Sequence, residues 1–184
     1  MIQLPVQTSK PTARKLMISQ IVQQNGVSSP DRVIHPLMIE EFLIRLKQIP
    51  SHQLTLDTLK DLVTRLHLPK ECWEAFVLFL PDRYRWETLL RNDDVEIVVI
   101  CWASGQTSGV HPHRNAALNV TKVLQGSIIQ QRYIPDEQRK LILWKEETVS
   151  TGEITWTDRY EFHQLVNNSA EDCITLHVYS PVRD

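Results

Sequence analysis

The chain is short of the residues that usually announce a specialised motif. Its five glycines are scattered and none cluster, so no phosphate-cradling loop of the usual sequence type is present. Its three cysteines, Cys72, Cys101 and Cys173, form no CxxC and keep no regular spacing. An odd, irregular set reads as free thiols, mostly buried, in a reducing compartment, and not as a disulfide framework. Cys173 is assigned by alternation to the aliphatic face of its strand. No apolar run is long enough to span a bilayer, and the N-terminal "MIQLPVQTSK" lacks the apolar core of a signal peptide. A cytoplasmic location is therefore expected. Charge of either sign is also lacking in excess: the net charge is -2. That leaves no electrostatic footprint for a nucleic acid or a membrane surface. What remains is an ordinary globular composition in 184 residues, enough to bury a core as a single domain over 1–184.

The periodicity divides the chain. Residues 1–80 read as a helical part. "TARKLMISQIVQQ" has helical apolar spacing and ends at Asn25-Gly26, a plausible C-cap. "PLMIEEFLIRLKQI" places Pro36 near a helix start, where its missing N–H is harmless. "TLDTLKDLVTRLHL" runs from Thr55 as N-cap and stops before Pro69. "KECWEAFVLFL" is expected as a fourth helix, stopping before Pro81. From Glu96 the pattern changes. "EIVVICW" is a buried-strand run, and three later stretches read as strand, turn, strand, with turns at Gln125-Gly126-Ser127, Thr151-Gly152 and Asn167-Asn168-Ser169. Residues 81–184 are therefore expected to form an antiparallel sandwich or barrel, and the fold class is α+β.

Chemistry concentrates at "SGVHPHRNAALNVTKVLQGS", where His111 and His113 stand one residue apart. In an extended strand, residues i and i+2 share a face with Cα atoms roughly 6.5–7 Å apart. Two imidazoles at that spacing can converge on one ion; equally, HxH is a common pattern in surface loops. A third ligand would decide, and both His163, in "YEFHQLV", and His177, in "TLHVYSP", lie on strand-like runs. Thr175, His177 and Tyr179 share one face of their strand, and Ile174, Leu176 and Val178 share the other. The first face suits a polar cavity lining or a solvent face.

Together, "ICWASGQTSGVHPHRNAALNVTKVLQG", "FHQLVNN" and "TLHVYSPV" resemble cysteine dioxygenase, the thiol dioxygenase branch of the cupins, over roughly residues 80–183. The features that carry the resemblance are Trp102 nine residues before His111, "LQG" after the pair, and "LHxYSP" near the C-terminus. It implies N-terminal helices packed on an antiparallel β-barrel of cupin (jelly-roll) type. It implies one Fe(II) per chain held by His111, His113 and His163, with a histidine in place of the more usual carboxylate. No Asp or Glu lies between His113 and Gly126, where general cupins place a ligand Glu. The implied activity is oxidation of L-cysteine by O2 to cysteine sulfinic acid, by a monomer. Tyr179 would face the reactants, with His177 and Thr175 as its support. Arg85, seventeen residues before Trp102, would bind the substrate carboxylate, with Arg83 as the alternative. A 3-mercaptopropionate dioxygenase, or a non-catalytic cupin that binds a metal or small molecule, are the competing readings. Two departures stand out: the stretch after His113 has no cysteine to cross-link to the tyrosine, and Pro112 replaces a common Asp.

Overall fold

Two amphipathic helices precede the sheets in a computed structural model, which describes residues 37–50, 53–113, 118–158 and 161–180. The helix expected over 12–24 lies outside these residues. Helix α1, Ile39–Gln48, turns Phe42 and Leu46, four apart, into the core. Helix α2, Leu56–Arg65, buries Leu59, Leu62 and Val63. Its N-cap is Thr55, whose hydroxyl oxygen accepts from the Thr58 N–H at 3.2 Å. Its last carbonyls meet Lys122, whose Nζ donates to Val63 O (3.3 Å), Thr64 O (2.9 Å) and Leu66 O (2.7 Å). One lysine thus satisfies orphan helix-end acceptors and ties the helix to the sheet. The fourth expected helix is cut short: α3 covers Lys70–Trp73 and a 3-10 turn Glu74–Phe76. Beyond it Val77 is extended. Val77 and Phe79 pack on the core while Leu78 is exposed, so period two wins over period 3.6 here.

Among the described residues nine strands follow: β1 Arg85–Arg91, β2 Glu96–Trp102, β3 His111–Pro112, β4 Leu118–Gln125, β5 Ser127–Pro135, β6 Leu141–Ser150, β7 Ile154–Asp158, β8 Phe162–Val166 and β9 Cys173–Ser180. They form two antiparallel sheets, β1-β2-β9-β4-β7 and β3-β8-β5-β6. The expectation of a closed β-barrel is corrected by this order. Each sheet keeps two edges, and among the described residues no strand pairing joins one sheet to the other, as closure requires. The three turns read from the sequence exist, but each carries the chain from one sheet to the other; the hairpins among the described residues lie instead between β1 and β2 and between β5 and β6. A turn residue reports a reversal, not which sheet receives the next strand. Where β5 and β7 face each other, side chains span the gap: Gln130 Nε2 and Arg132 Nη2 donate to Trp156 O at 2.9 and 2.8 Å.

The five-stranded sheet is covered on both faces. Ile97, Val99, Cys101, Val120, Ile174, Leu176 and Val178 pack with Phe42, Leu59 and Val63 of the helices. On the inner face, Val98, Ile100, Trp102, Val123, Cys173 and Tyr179 meet Ile128, Val149 and Leu165 of the other sheet. Strands β2 and β9 are therefore buried along their whole length.

The turn between β4 and β5 admits only glycine. Gly126 has φ +77°, and a Cβ there would lie 2.8 Å from Asp172 O and 3.2 Å from Cys173 Cα, both backbone atoms. Gly126→Ala should lower stability by about 1–3 kcal/mol, read as a fall in the denaturant midpoint; an unchanged midpoint would contradict this packing.

Candidate metal centre

The register of β3 against β8 places His111 directly opposite His163, and opposed residues of an antiparallel pair share a face. His113 follows two residues later. The ring centroids of His111 and His163 are 4.6 Å apart, those of His113 and His163 4.7 Å, and those of His111 and His113 5.2 Å. Each ring offers one nitrogen, and the three nitrogens lie within 4.8 Å of one another. His113 Nε2 and His163 Nε2 are 3.1 Å apart. Two ligands at right angles on an ion, with bonds of about 2.0–2.1 Å, would stand about 2.9 Å apart. His111 Nδ1 lies 3.0 Å from Gly109 O; donating there fixes the tautomer that leaves Nε2 for a metal. His163 Nδ1 is buried with no hydrogen-bond partner among the described residues. The donor set fits a non-haem ferrous ion, one per chain, held by three neutral imidazoles.

Burial and neighbouring charge keep the His163 ring neutral. Burial pushes the His163 pKa well below its usual value, and His113, His111, His177 and Arg132 push it further the same way. Arg132 stands opposite His163 on β5. It is buried and held by Glu161 at 2.5 Å and Glu147 at 3.2 Å. The sequence reading missed Arg132; its signal was alternation with the buried Ile128 and Gln130.

The inner face of β9 looks onto this cluster. The Tyr179 ring lies edge-on to His113, centroids 5.5 Å apart. Its hydroxyl is 3.4 Å from His177 Nδ1, and Thr175 Oγ1 is 2.9 Å from His177 Nε2. Thr121 Oγ1 also meets His177 Nδ1, at 3.1 Å. Asn119 stands opposite Tyr179 on β4, and Glu96 opposite it on β2. Asn119, Thr121 and Glu96 had no motif to flag them, only inward parity. Cys173 belongs to this inner face, not to the aliphatic one, since 173 has the parity of 175, 177 and 179; it pairs with Trp102. Burial, with Cys101 nearby, raises its pKa to about 12, so it is an inert thiol.

Arg85 is not brought to the histidines. It stands opposite Cys101, whose side chain lies on the helix-covered face, and it pairs with Glu87 two residues on. The inner-face neighbours of Arg85 are Tyr84, just before this edge strand and stacked on Trp102 at 4.6 Å, and Trp86, opposite Ile100 and half exposed. Arg83 sits in the bend before β1, exposed, on a surface depression shared with Arg85, Trp86 and Glu87.

A family model described as cysteine dioxygenase type I matches residues 30–184. The chain belongs to that family. Two curated relatives named cysteine dioxygenase type 1, from Homo sapiens and Pongo abelii, are each 29% identical over 119 residues, covering 61% of this chain and 58% of theirs. The chain thus spans 58% of the length of these relatives. A solved structure from Thermus thermophilus superposes with a TM-score of 0.49 at 18% identity, over 59% of this chain and 92% of its own. As in the family pattern that the sequence resembles, the ligand set has histidine at all three positions.

His163→Ala should weaken iron binding by more than about 100-fold, beyond the loss expected for an outer-shell partner, while far-UV circular dichroism stays native. Metal content after anaerobic loading checks it; full occupancy would refute the ligand assignment. The metal-free chain should also lose stability in acid. The folded pKa of His163 lies below the unfolded value of about 6.5. Below that value the unfolded chain binds a proton that the folded chain refuses. The contribution is intact above pH of about 6.5 and is lost as pH falls, by up to about 1.4 kcal/mol per unit. Denaturant midpoints between pH 5 and 7 should show this slope reduced in His163→Ala.

Proposed function

We propose that this chain is a non-haem Fe(II) thiol dioxygenase that oxidises L-cysteine with O2 to cysteine sulfinic acid. The supporting observation is the meeting of three imidazoles at one point with the Tyr179 phenol beside them. Three neutral ligands leave a ferrous ion its full charge, which suits a substrate arriving as a thiolate. A ferrous ion held there would supply the electron-transfer chemistry that lets a thiolate react with O2. The balance is RSH + O2 → RSO2H: both oxygen atoms end on sulfur, which loses four electrons, and no other reductant is needed.

The chain's own groups do the rest. His111, His113 and His163 would hold the ion. Tyr179 presents a hydroxyl to the reactants, where it orients them and steadies developing charge. His177 and Thr175 hold that hydroxyl in place. Val98, Ile100 and Trp102, all buried, keep water from one wall. One chain carries every member of this set, so a monomer suffices. A reducing cytoplasm suits its three free thiols.

The placement of Arg85 favours a second substrate within the same chemistry. If an arginine at the carboxylate position marks cysteine as substrate, an arginine turned to the far face and paired with Glu87 leaves 3-mercaptopropionate equally suited. Oxygen uptake and sulfinate formation should be followed with both thiols on the anaerobically loaded chain. One O2 consumed per thiol, with L-cysteine converted to its sulfinate, is the expected result. Zinc in place of iron and no thiol-dependent uptake would overturn the enzyme in favour of a metal-binding module. Arg85→Ala should change KM for either thiol by less than about twofold, since losing a carboxylate anchor would cost about tenfold or more.

A further inference from the structure

We infer that Trp102 is a positioning residue for the proposed reaction: its indole N–H heads a hydrogen-bond chain of fixed direction that runs through Thr175 and His177 and leaves the Tyr179 hydrogen pointing at the histidine cluster. The inference rests on the reading of Tyr179 as the group that faces the reacting thiol.

The direction follows from which atoms can donate. An indole nitrogen only donates, and Trp102 Nε1 gives its hydrogen to Thr175 Oγ1 at 2.8 Å. Thr175 is fully buried. Its hydroxyl has one other neighbour within hydrogen-bond distance, His177 Nε2 at 2.9 Å. Its own hydrogen therefore goes to that nitrogen. Were Nε2 to carry a hydrogen instead, the threonine proton would be buried with nothing to accept it, the costly case for a polar group. The indole closes the reverse route, because it cannot accept.

The far end of the chain demands the same direction. Asn119 Nδ2 donates to Val178 O at 3.4 Å, which orients the amide so that Oδ1 faces Thr121 Oγ1 at 3.3 Å. That oxygen only accepts, so Thr121 donates to it and presents a lone pair to His177 Nδ1 at 3.1 Å. Both ends thus require neutral His177 to hold its hydrogen on Nδ1 and a lone pair on Nε2. The Nδ1–H is shared between Thr121 Oγ1 and the Tyr179 hydroxyl oxygen at 3.4 Å. The phenol accepts on that side, so its own hydrogen turns away from His177, toward the side where His113 lies. Trp102 holds the head of the chain rigidly: it is 1% exposed and stacked on Tyr84.

The test is the ring of His177. Long-range proton–nitrogen correlation spectra of the 15N-histidine-labelled full chain, loaded with diamagnetic zinc, report which nitrogen bears hydrogen, with His177→Gln supplying the assignment. The expected result is hydrogen on Nδ1 and a hydrogen-bonded lone pair on Nε2. Thr175→Val should move the Nε2 resonance to its value without a hydrogen bond, and Trp102→Phe, which leaves the threonine hydroxyl free to turn, should move it part of the way. Each should lower kcat of the iron form about tenfold, the scale of losing an outer-shell partner, with thiol KM within about twofold. Thr175→Ser, which keeps the hydroxyl, should restore both; should Trp102→Phe fold poorly, the threonine pair carries the test. Hydrogen on Nε2 in the unaltered chain, or an Nε2 resonance unmoved by Thr175→Val, overturns the inference. Absence of thiol oxidation alongside the expected tautomer would instead overturn the proposed activity and leave the chain's direction standing.

Discussion

The register that sets His111 opposite His163 across β3 and β8 is the constraint on which the site depends. Antiparallel pairing places opposed side chains on one face at a few ångströms. It thereby fixes two of the three rings without help from any side chain. His113 joins them because two residues along an extended chain return to the same face. A slip of one residue in this pairing would send His163 to the opposite face of its sheet. Arg132, opposite His163 on β5, lengthens the same row and is itself pinned by Glu147 and Glu161. A buried ion cluster of this kind is weak ground for stability. Its contribution here is spatial: it ties β5, β6 and the start of β8 around the ligand strand.

The inner face of β9 solves a different problem. Thr175, His177 and Tyr179 are polar groups between two sheets, and each would cost free energy there unless bonded. The bonding that satisfies them also gives them direction. Trp102 can only donate and Asn119 Oδ1 can only accept, so the groups between them have little choice of hydrogen position. Stability and orientation are thus consequences of the same contacts. The opposite face of the strand, Ile174, Leu176 and Val178, packs under the helices and keeps β9 in place.

How much of this was legible in the sequence varies with the range of the interaction. The start of α2, the run at β2 and the three strand-to-strand turns are local, set by Thr55, by consecutive apolar residues and by Gly126 and its counterparts, and they could be read directly; α2 itself ends at Arg65, short of the expected stop before Pro69. The two-faced character of β9 was legible for the same reason, since alternation needs no knowledge of neighbours. The failures are non-local. Whether β4 and β5 pair or part company is decided by the other strands, so a barrel was expected where two open sheets stand. Arg85 was placed by counting residues from Trp102. A count says nothing of facing, and its register against Cys101 turns it away. Cys173 was a plain error of parity. The ligand role of His163 was not readable from local pattern, because a lone histidine on a strand gains meaning only from its partner at 111; family likeness supplied it. Asn119, Thr121 and Arg132 carry no motif and emerge only once the two sheets are laid face to face.

The most direct test is to count the imidazoles around the metal. X-ray absorption at the iron edge of the anaerobically loaded chain should show the scattering of three imidazole rings, with first-shell nitrogens at about 2.0–2.2 Å. Two rings or fewer, or a protein carboxylate in the place of the third, would contradict the account.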